Sequence, residues 1–169
     1  NLVHNRARAL LLVLDNQATA MTGFQPHPGL DTNVLNQPAP AIAIEDLCAS
    51  LGVSVDVLDP YELEVNTRTI YRALQETEGV RVLVLRRTCA LVQGRAGGYP
   101  FRPAVDPNRC LGDACGCNRY CSRVFRCPGL IWDAAAGRAR IDEVICVGCG
   151  VCAQICPQGA ITLEKKGAA

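Results

Sequence analysis

Nine of the chain's eleven cysteines stand between Cys110 and Cys156, and four of them read Cys146-x2-Cys149-x2-Cys152-x3-Cys156, with Pro157 directly behind. At that spacing the thiolates of Cys146, Cys149 and Cys152 can wrap one [4Fe–4S] cube from a single loop whose amides point at the sulfurs. Cys156 lies too far round the loop to close the same cube; where a chain carries two cubes, this fourth position serves the other one. Proline behind it turns the chain away and removes one N–H. The competing reading is a zinc site, which favours paired Cys-x2-Cys knuckles and takes four ligands in all.

An upstream copy of the pattern argues for two cubes. Val105-Asp106 precedes Cys110 as Ile141-Asp142 precedes Cys146, and Cys127-Pro128 with Leu130-Ile131 matches Cys156-Pro157 with Ala160-Ile161. Each half therefore reads as a short strand, a cysteine loop, Cys-Pro and a second short strand, the pattern of a small pseudo-symmetric α+β unit like that of two-cluster ferredoxins. The first loop is the longer, and it offers Cys115, Cys117 and Cys121 for two remaining places. Cys121, nearest the Cys-Pro, is expected as the third ligand. Gly116-Cys117 resembles Gly148-Cys149 and favours Cys117 as the second, with Cys115 as its alternate. The expected scheme puts Cys110, Cys117, Cys121 and Cys156 on one cluster and Cys146, Cys149, Cys152 and Cys127 on the other. Cys48 and Cys89 fall in apolar patterns and read as buried thiols rather than ligands.

The elements upstream alternate between strand and helix. Ala9–Leu14 is a continuous apolar run ending at Asp15, as a buried parallel strand reads. Ile44, Leu47, Cys48 and Leu51 share one helical face, and Gly52 can cap that helix. Val53, Val55 and Val57 alternate as a strand that Asp59-Pro60 stops. Thr67 is the expected cap of a second helix carrying Ile70, Ala73 and Leu74, with Gly79 at its end, and Val80–Leu85 is the third strand. Residues 1–92 are thus expected to form an α/β unit, incomplete in size, with a mostly parallel sheet. Gln93–Pro103, with three glycines and two prolines, reads as a linker, and residues 104–169 as the cysteine domain.

Totals narrow the classes. Hydrophobic residues make up 49% and charged residues 20%, a globular balance, and the net charge of +1 gives no electrostatic case for nucleic acid or a membrane surface. No apolar run approaches the roughly 20 residues of a spanning helix. Crowded cysteines without a signal-peptide pattern suit cluster ligation in a reducing compartment, so a cytoplasmic protein is expected. An Asn at the first position, with a strand starting so soon after it, suggests the C-terminal piece of a longer chain.

Asp15–Gly29 is a polar loop at the carboxyl end of a parallel strand, where α/β sheets place ligands. Asn16 offers a hard oxygen suited to Mg²⁺, and Thr19, Thr22 and Gly23 can approach a diphosphate closely; an unremarkable polar connection is the alternative. Leu14-Asp15-Asn16, Thr19-Ala20-Met21-Thr22-Gly23 and Gln25-Pro26-His27-Pro28-Gly29 together resemble the thiamine-diphosphate loop of the 2-oxoacid:ferredoxin oxidoreductases. With two-cluster ferredoxin motifs behind them, they resemble the large subunit of the family's indolepyruvate branch, over essentially the whole chain.

The resemblance implies that the Asn16 side chain and the Ala18 carbonyl help to hold Mg²⁺, and that Thr19, Met21 and Thr22 line the cofactor. The family's other Mg²⁺ ligand, an Asp in a Gly-Asp-Gly motif, has no counterpart here. His27 is a candidate acid–base group or a rigid loop residue between prolines. The implied reaction is oxidative decarboxylation of an aryl pyruvate to an acyl-CoA, with coenzyme A as co-substrate. Electrons would pass through the two clusters to an external ferredoxin, and a small subunit would be the partner. Aryl glyoxylates or other 2-oxo acids are alternative substrates, and a non-catalytic electron-carrier subunit is the alternative from another class.

Overall fold

The computed structural model of the chain describes residues 1–165. The chain divides into two compact units, Asn1–Val92 and a second that begins at Gln93. In the first, strands β1 (Ala9–Asp15), β2 (Ser54–Leu58) and β3 (Val80–Arg86) form a parallel sheet in the order β1-β3-β2. Ala9 faces Val80 at one end of the β1–β3 ladder and Asp15 faces Arg86 at the other. β3, paired on both sides, buries Val82, Leu83 and Val84 in succession, which suits its unbroken aliphatic run. β1 was expected to be buried as well, but Leu12 and Leu14 are 47% and 75% exposed. Among the described residues β1 is an edge strand with a neighbour on one side alone.

Parallel strands need crossovers, and two helices supply them. Helix α1 (Ile44–Ser50) ends where Gly52, at φ +70°, turns left-handed and donates its N–H to the Ala49 carbonyl at 2.9 Å. Its expected apolar face is only partly used, because Leu47 and Leu51 stay exposed. Helix α2 (Leu63–Gln75) starts a turn before its expected cap, Thr67. Asp59 organises that earlier start. Its carboxylate accepts the Tyr61 N–H at 2.9 Å, and its carbonyl accepts the side-chain amide of buried Asn66 at 2.8 Å. Thr67 lies inside the helix instead, its hydroxyl donating to the Leu63 carbonyl at 2.7 Å. The helix ends at Gln75, and Gly79 belongs to the turn into β3, where its carbonyl accepts the Ala9 N–H at 3.1 Å.

The carboxyl end of this sheet is tied by Arg86. Its Nε donates to Asp15 on β1 at 2.7 Å, and its two terminal nitrogens donate to Glu45 on α1 at 2.9 and 2.7 Å. One guanidinium thereby joins β1, β3 and α1 in the bidentate geometry to which arginine is suited.

The chain leaves the first unit within helix α3 (Ala90–Arg95). In the second unit β4 (Phe101–Val105) pairs antiparallel with β7 (Ile161–Lys165), and β5 (Leu130–Asp133) pairs antiparallel with β6 (Arg138–Ile141). Phe101–Pro103, the last three residues of the stretch read as linker, are the first residues of β4. A two-stranded ladder leaves an open side on which Pro103 needs no donor. The halves exchange strands: the first strand pairs with the last, and the strand after the first Cys-Pro pairs with the one before the second cysteine loop. Register also corrects the match between halves. Val105 faces Ile161 and Ile141 faces Leu130, so Leu130 corresponds to Ile161 rather than to Ala160. A small core gathers Leu130, Ala139, Cys152 and Ile161, all buried, with Val105, Ile141 and Phe125 packed against them.

Hydrogen bonds from Arg86 and from its own backbone hold Glu45 at about 2 against an ordinary 4.5. Because the folded value is depressed, the unfolded chain takes up the proton first as pH falls. The pair's contribution is therefore complete above about pH 4.5 and is lost as pH drops towards 2. Urea unfolding should show Glu45→Gln less stable than the parent at pH 7, with the gap narrowing below about pH 4.5 and closing as pH falls through about 2. A gap independent of pH would contradict this account of the pair.

Candidate iron–sulfur site and polar loop

The two cysteine loops are launched in the same way. Asp106 and Asp142 each follow a strand, and each accepts an N–H two residues on through its carboxylate, from Asn108 at 2.8 Å and from Val144 at 3.1 Å. Their carbonyls accept the N–H groups of Cys110 at 3.0 Å and Cys146 at 2.9 Å. The first cysteine of each half is fixed one turn after its aspartate. Each Cys-Pro returns close to the other half: a Cβ on Gly129 would stand 3.0 Å from the Cys146 Cα, and one on Gly159 would stand 2.7 Å from the Arg109 guanidinium.

Two groups of thiols result. Cys110, Cys115, Cys117, Cys121 and Cys156 line one cavity, together with Trp132, Ile155 and Ile161. Cys127, Cys146, Cys149 and Cys152 form the other group, close enough to act on one another's charge. Burial pushes the Cys152 thiol up to about 12, and the charges of Cys149, Cys127 and Cys146 add to the rise. Burial likewise raises Cys149 and Cys121. Thiols crowded in this way resist ionisation unless positive charge enters among them. Among the described residues, no three His, Cys, Asp or Glu side chains converge as a single metal ion would require. The sulfurs of the first group line a cavity instead, and grouped soft thiolates are a donor set that fits an iron–sulfur cube.

Backbone amides reach these sulfurs. The Ala160 N–H donates to Cys156 Sγ at 3.3 Å, and the Val151 amide favours the Cys149 thiolate. Burial opposes ionisation of Cys117, but the Cys115 thiol and the amides of Tyr120, Arg119 and Cys117 hydrogen-bond it and hold it below the ordinary thiol value. Left-handed backbone at Asn118 (φ 50°) and Arg119 (φ 56°) shapes this stretch. For Cys115 the Cys117 amide favours the thiolate, yet the hydrogen bond it donates to Cys117, burial and the charges of Cys117 and Cys156 together push it up. Arg119 packs over the Trp132 ring at 4.2 Å and grips Asp113 through two bonds of 2.7 Å. The sequence pattern gave no sign of this clasp, whose parts meet only after the longer loop has folded.

Cys48 and Cys89 are half-buried, not fully buried as expected. Cys89 lies behind the polar loop, where its N–H donates to the Asn16 carbonyl at 2.9 Å, and the Thr88 hydroxyl donates to Gln17 at 2.6 Å. Asn16 Oδ1 accepts the Ala18 N–H at 3.2 Å and keeps a second lone pair. Thr19 and Gln25 form an antiparallel bridge that closes the loop over the short 3-10 turn Ala20–Thr22. Met21 is fully exposed, Gly23 is left-handed at φ +114°, and Thr22 donates to Gln25 at 2.6 Å. His27 Nδ1 accepts the Gly29 N–H at 3.1 Å, which leaves the proton of a neutral ring on Nε2. Asn16, Ala18, Thr19, Met21, Thr22 and Gly23 thus share one loop, while His27 belongs to the next turn. The neighbouring carboxylate of Asp15 is taken by Arg86. The Asn16 side-chain oxygen and the Ala18 carbonyl are two hard oxygens, against the six that an octahedral Mg²⁺ takes.

The 4Fe-4S binding domain family matches residues 139–162. The subunit named indolepyruvate oxidoreductase subunit IorA of Methanothermobacter marburgensis is 44% identical over 167 residues, covering 98% of this chain and 25% of that protein. The chain belongs to the IorA family. The IorA subunit of Pyrococcus horikoshii is 40% identical over 173 residues, covering 99% of this chain and 26% of its own length. The chain therefore spans about a quarter of the IorA subunits it matches. No solved structure matches it. Among the described residues no helix is long and apolar enough to cross a membrane.

Gly148, inside the second IorA cysteine loop, has φ +81°, and a Cβ there would stand 2.2 Å from the Phe101 carbonyl oxygen. Gly116 in the first loop has φ +72°, but a Cβ there would meet nothing within 4 Å. Gly116→Ala should cost only its left-handed strain, about 1–2 kcal/mol, whereas Gly148→Ala should cost clearly more because β4 must also move. Denaturant unfolding of the two variants checks the order; equal losses would contradict the steric argument.

Proposed function

We propose that the chain is the C-terminal portion of a thiamine-diphosphate-dependent 2-oxoacid:ferredoxin oxidoreductase that converts aryl pyruvates of the indolepyruvate kind to acyl-CoA. The observation that carries this reading is the sorting of the thiols into two groups, each drawn from both halves of the repeat. Identity of 40% and 44%, over nearly the whole of this chain, to subunits named indolepyruvate oxidoreductase supports the branch.

In this reading Cys110, Cys117, Cys121 and Cys156 hold one [4Fe–4S] cluster, with Cys115 as alternate to Cys117, and Cys127, Cys146, Cys149 and Cys152 hold the other. Amides on Cys117, Cys149 and Cys156 spread negative charge off the sulfurs and favour the reduced state of whatever the thiols hold. Residues 1–92 are the C-terminal part of the thiamine domain. Asn16 Oδ1 and the Ala18 carbonyl supply two of the Mg²⁺ oxygens, and a carboxylate from another part of the full protein supplies a third. Thr19, Met21, Thr22 and Gly23 line the diphosphate and the middle of the cofactor. Arg86 holds Asp15, and Cys89 holds Asn16, so that the loop keeps its shape at the sheet's carboxyl end. His27, with Nδ1 occupied, presents Nε2 as the atom that carries or releases a proton near the substrate. When bound, thiamine diphosphate supplies the electron sink for decarboxylation and the clusters accept electrons singly. A small subunit and an external ferredoxin are the partners, in the cytoplasm.

The test uses the full-length protein purified without oxygen together with its partner subunit. Viologen reduction would be followed with thiamine diphosphate, Mg²⁺ and coenzyme A against indolepyruvate, phenylpyruvate, phenylglyoxylate, pyruvate and 2-oxoglutarate. The expected result is reduction with the aryl pyruvates. Reduction with another acid alone would change the substrate class, and silence with all of them from a preparation with intact clusters would leave an electron carrier.

A further inference from the structure

Five thiols, not four, face the first cavity, and a cube with one thiolate on each iron takes four. The second group has no such surplus: Cys152 feels Cys149, Cys127 and Cys146, which with itself make a complete set. The extra sulfur lies in Cys115-Gly116-Cys117. Both cysteines line the cavity, with a single residue between them, so they compete for one place. Cys115 also shares that cavity with Cys156, the ligand that the other half lends.

The backbone between them is unhindered at its middle residue. Gly116 is left-handed at φ +72° with open space where a Cβ would be, whereas Gly112, at the start of the 3-10 turn that carries Cys115, is pinned. A Cβ on Gly112 would stand 2.1 Å from the Gly137 carbonyl oxygen. Cys115 thus sits between an anchored residue and an unhindered glycine, on the rim of the space that Cys117 faces.

Resting on the two-cluster reading above, we propose that Cys115 and Cys117 are interchangeable ligands of the first cluster, Cys117 holding it at rest and Cys115 replacing it when Cys117 is lost. In the exchange the iron–sulfur bond to Cys117 breaks and one to Cys115 forms. The proton of Cys115 would pass to the departing Cys117 thiolate where that residue is intact, and to solvent water where Cys117 is blocked or absent, so no oxidant or reductant is needed. The cluster that lies in the longer loop would then survive alkylation or oxidation of one of its own ligands.

The experiment takes the full chain with its partner subunit, purified without oxygen, as the parent and as Cys115→Ala, Cys117→Ala and the double variant. Iron and sulfide are counted, and the dithionite-reduced proteins are examined by EPR. The expected result is about eight iron atoms per chain in the parent and in both single variants, and about four in the double variant. The spectrum should shift in Cys117→Ala but not in Cys115→Ala. A fall to about four in either single variant, or retention of about eight in the double variant, would overturn the exchange. A parent with only about four would instead defeat the two-cluster reading beneath it. Should the Cys117→Ala chain not fold, Cys117→Ser serves with mass-spectrometric mapping of alkylated thiols. Protection of Cys115 in that variant, against labelling of Cys115 in the parent, supports the exchange, and labelling in both contradicts it.

Discussion

A cubic cluster presents its four irons in different directions, and a short loop can reach only three of them before the chain must turn away. That constraint explains the exchange of strands in the second unit. β4 pairs with β7 and β5 pairs with β6, so each Cys-Pro segment is carried into the opposite half of the repeat. Cys156 arrives at the cavity of Cys110, Cys117 and Cys121, while Cys127 arrives among Cys146, Cys149 and Cys152. The aliphatic core is correspondingly small, with Leu130, Ala139 and Ile161 buried beside Cys152. In the ligation proposed, the clusters would fill much of the interior of this unit and staple its two halves together. Losing either should therefore loosen the whole unit rather than one loop.

The first unit obeys a different constraint. Its sheet must end in a polar loop held in one shape, and Arg86 meets that need by binding Asp15 on one strand and Glu45 on a helix. The Cys89 amide and the Thr88 hydroxyl fasten the same loop from the segment that follows β3. Asn16 is thus fixed through its own carbonyl by Cys89 and through its side-chain oxygen by the Ala18 amide. The exposed leucines of β1 show that this sheet, as described, covers itself incompletely.

Much of the second unit was legible because cysteine spacing is a direct record of geometry: only certain separations let consecutive thiols face one centre. The grouping of Cys156 with the thiols of the first loop, and of Cys127 with those of the second, follows the same spacing. The choice between Cys115 and Cys117 was not legible, since it depends on left-handed turns at Gly116, Asn118 and Arg119 that no spacing reveals. The match of Ala160 to Leu130 failed because the stretch from Cys156 to the final strand is longer than the one from Cys127, and pairing, not position after the cysteine, sets equivalence. Thr67 looked like a cap because its residue type is right, yet Asp59 and Asn66 had already started the helix. Phe101–Pro103 looked like linker because composition weighed more than the partner strand some sixty positions on, which the residues themselves do not announce. The Arg86 clasp was invisible for a related reason: its three members come from separate elements.

The crossed ligation is the central claim, and EPR of four single variants tests it most directly. In the full protein, reduced without oxygen, Cys110→Ala and Cys156→Ala should each remove the same cluster and leave identical residual spectra. Cys146→Ala and Cys127→Ala should share the other spectrum. If Cys156→Ala instead matched Cys146→Ala, each half would be closing its own cluster, and the account of why the strands exchange would be contradicted.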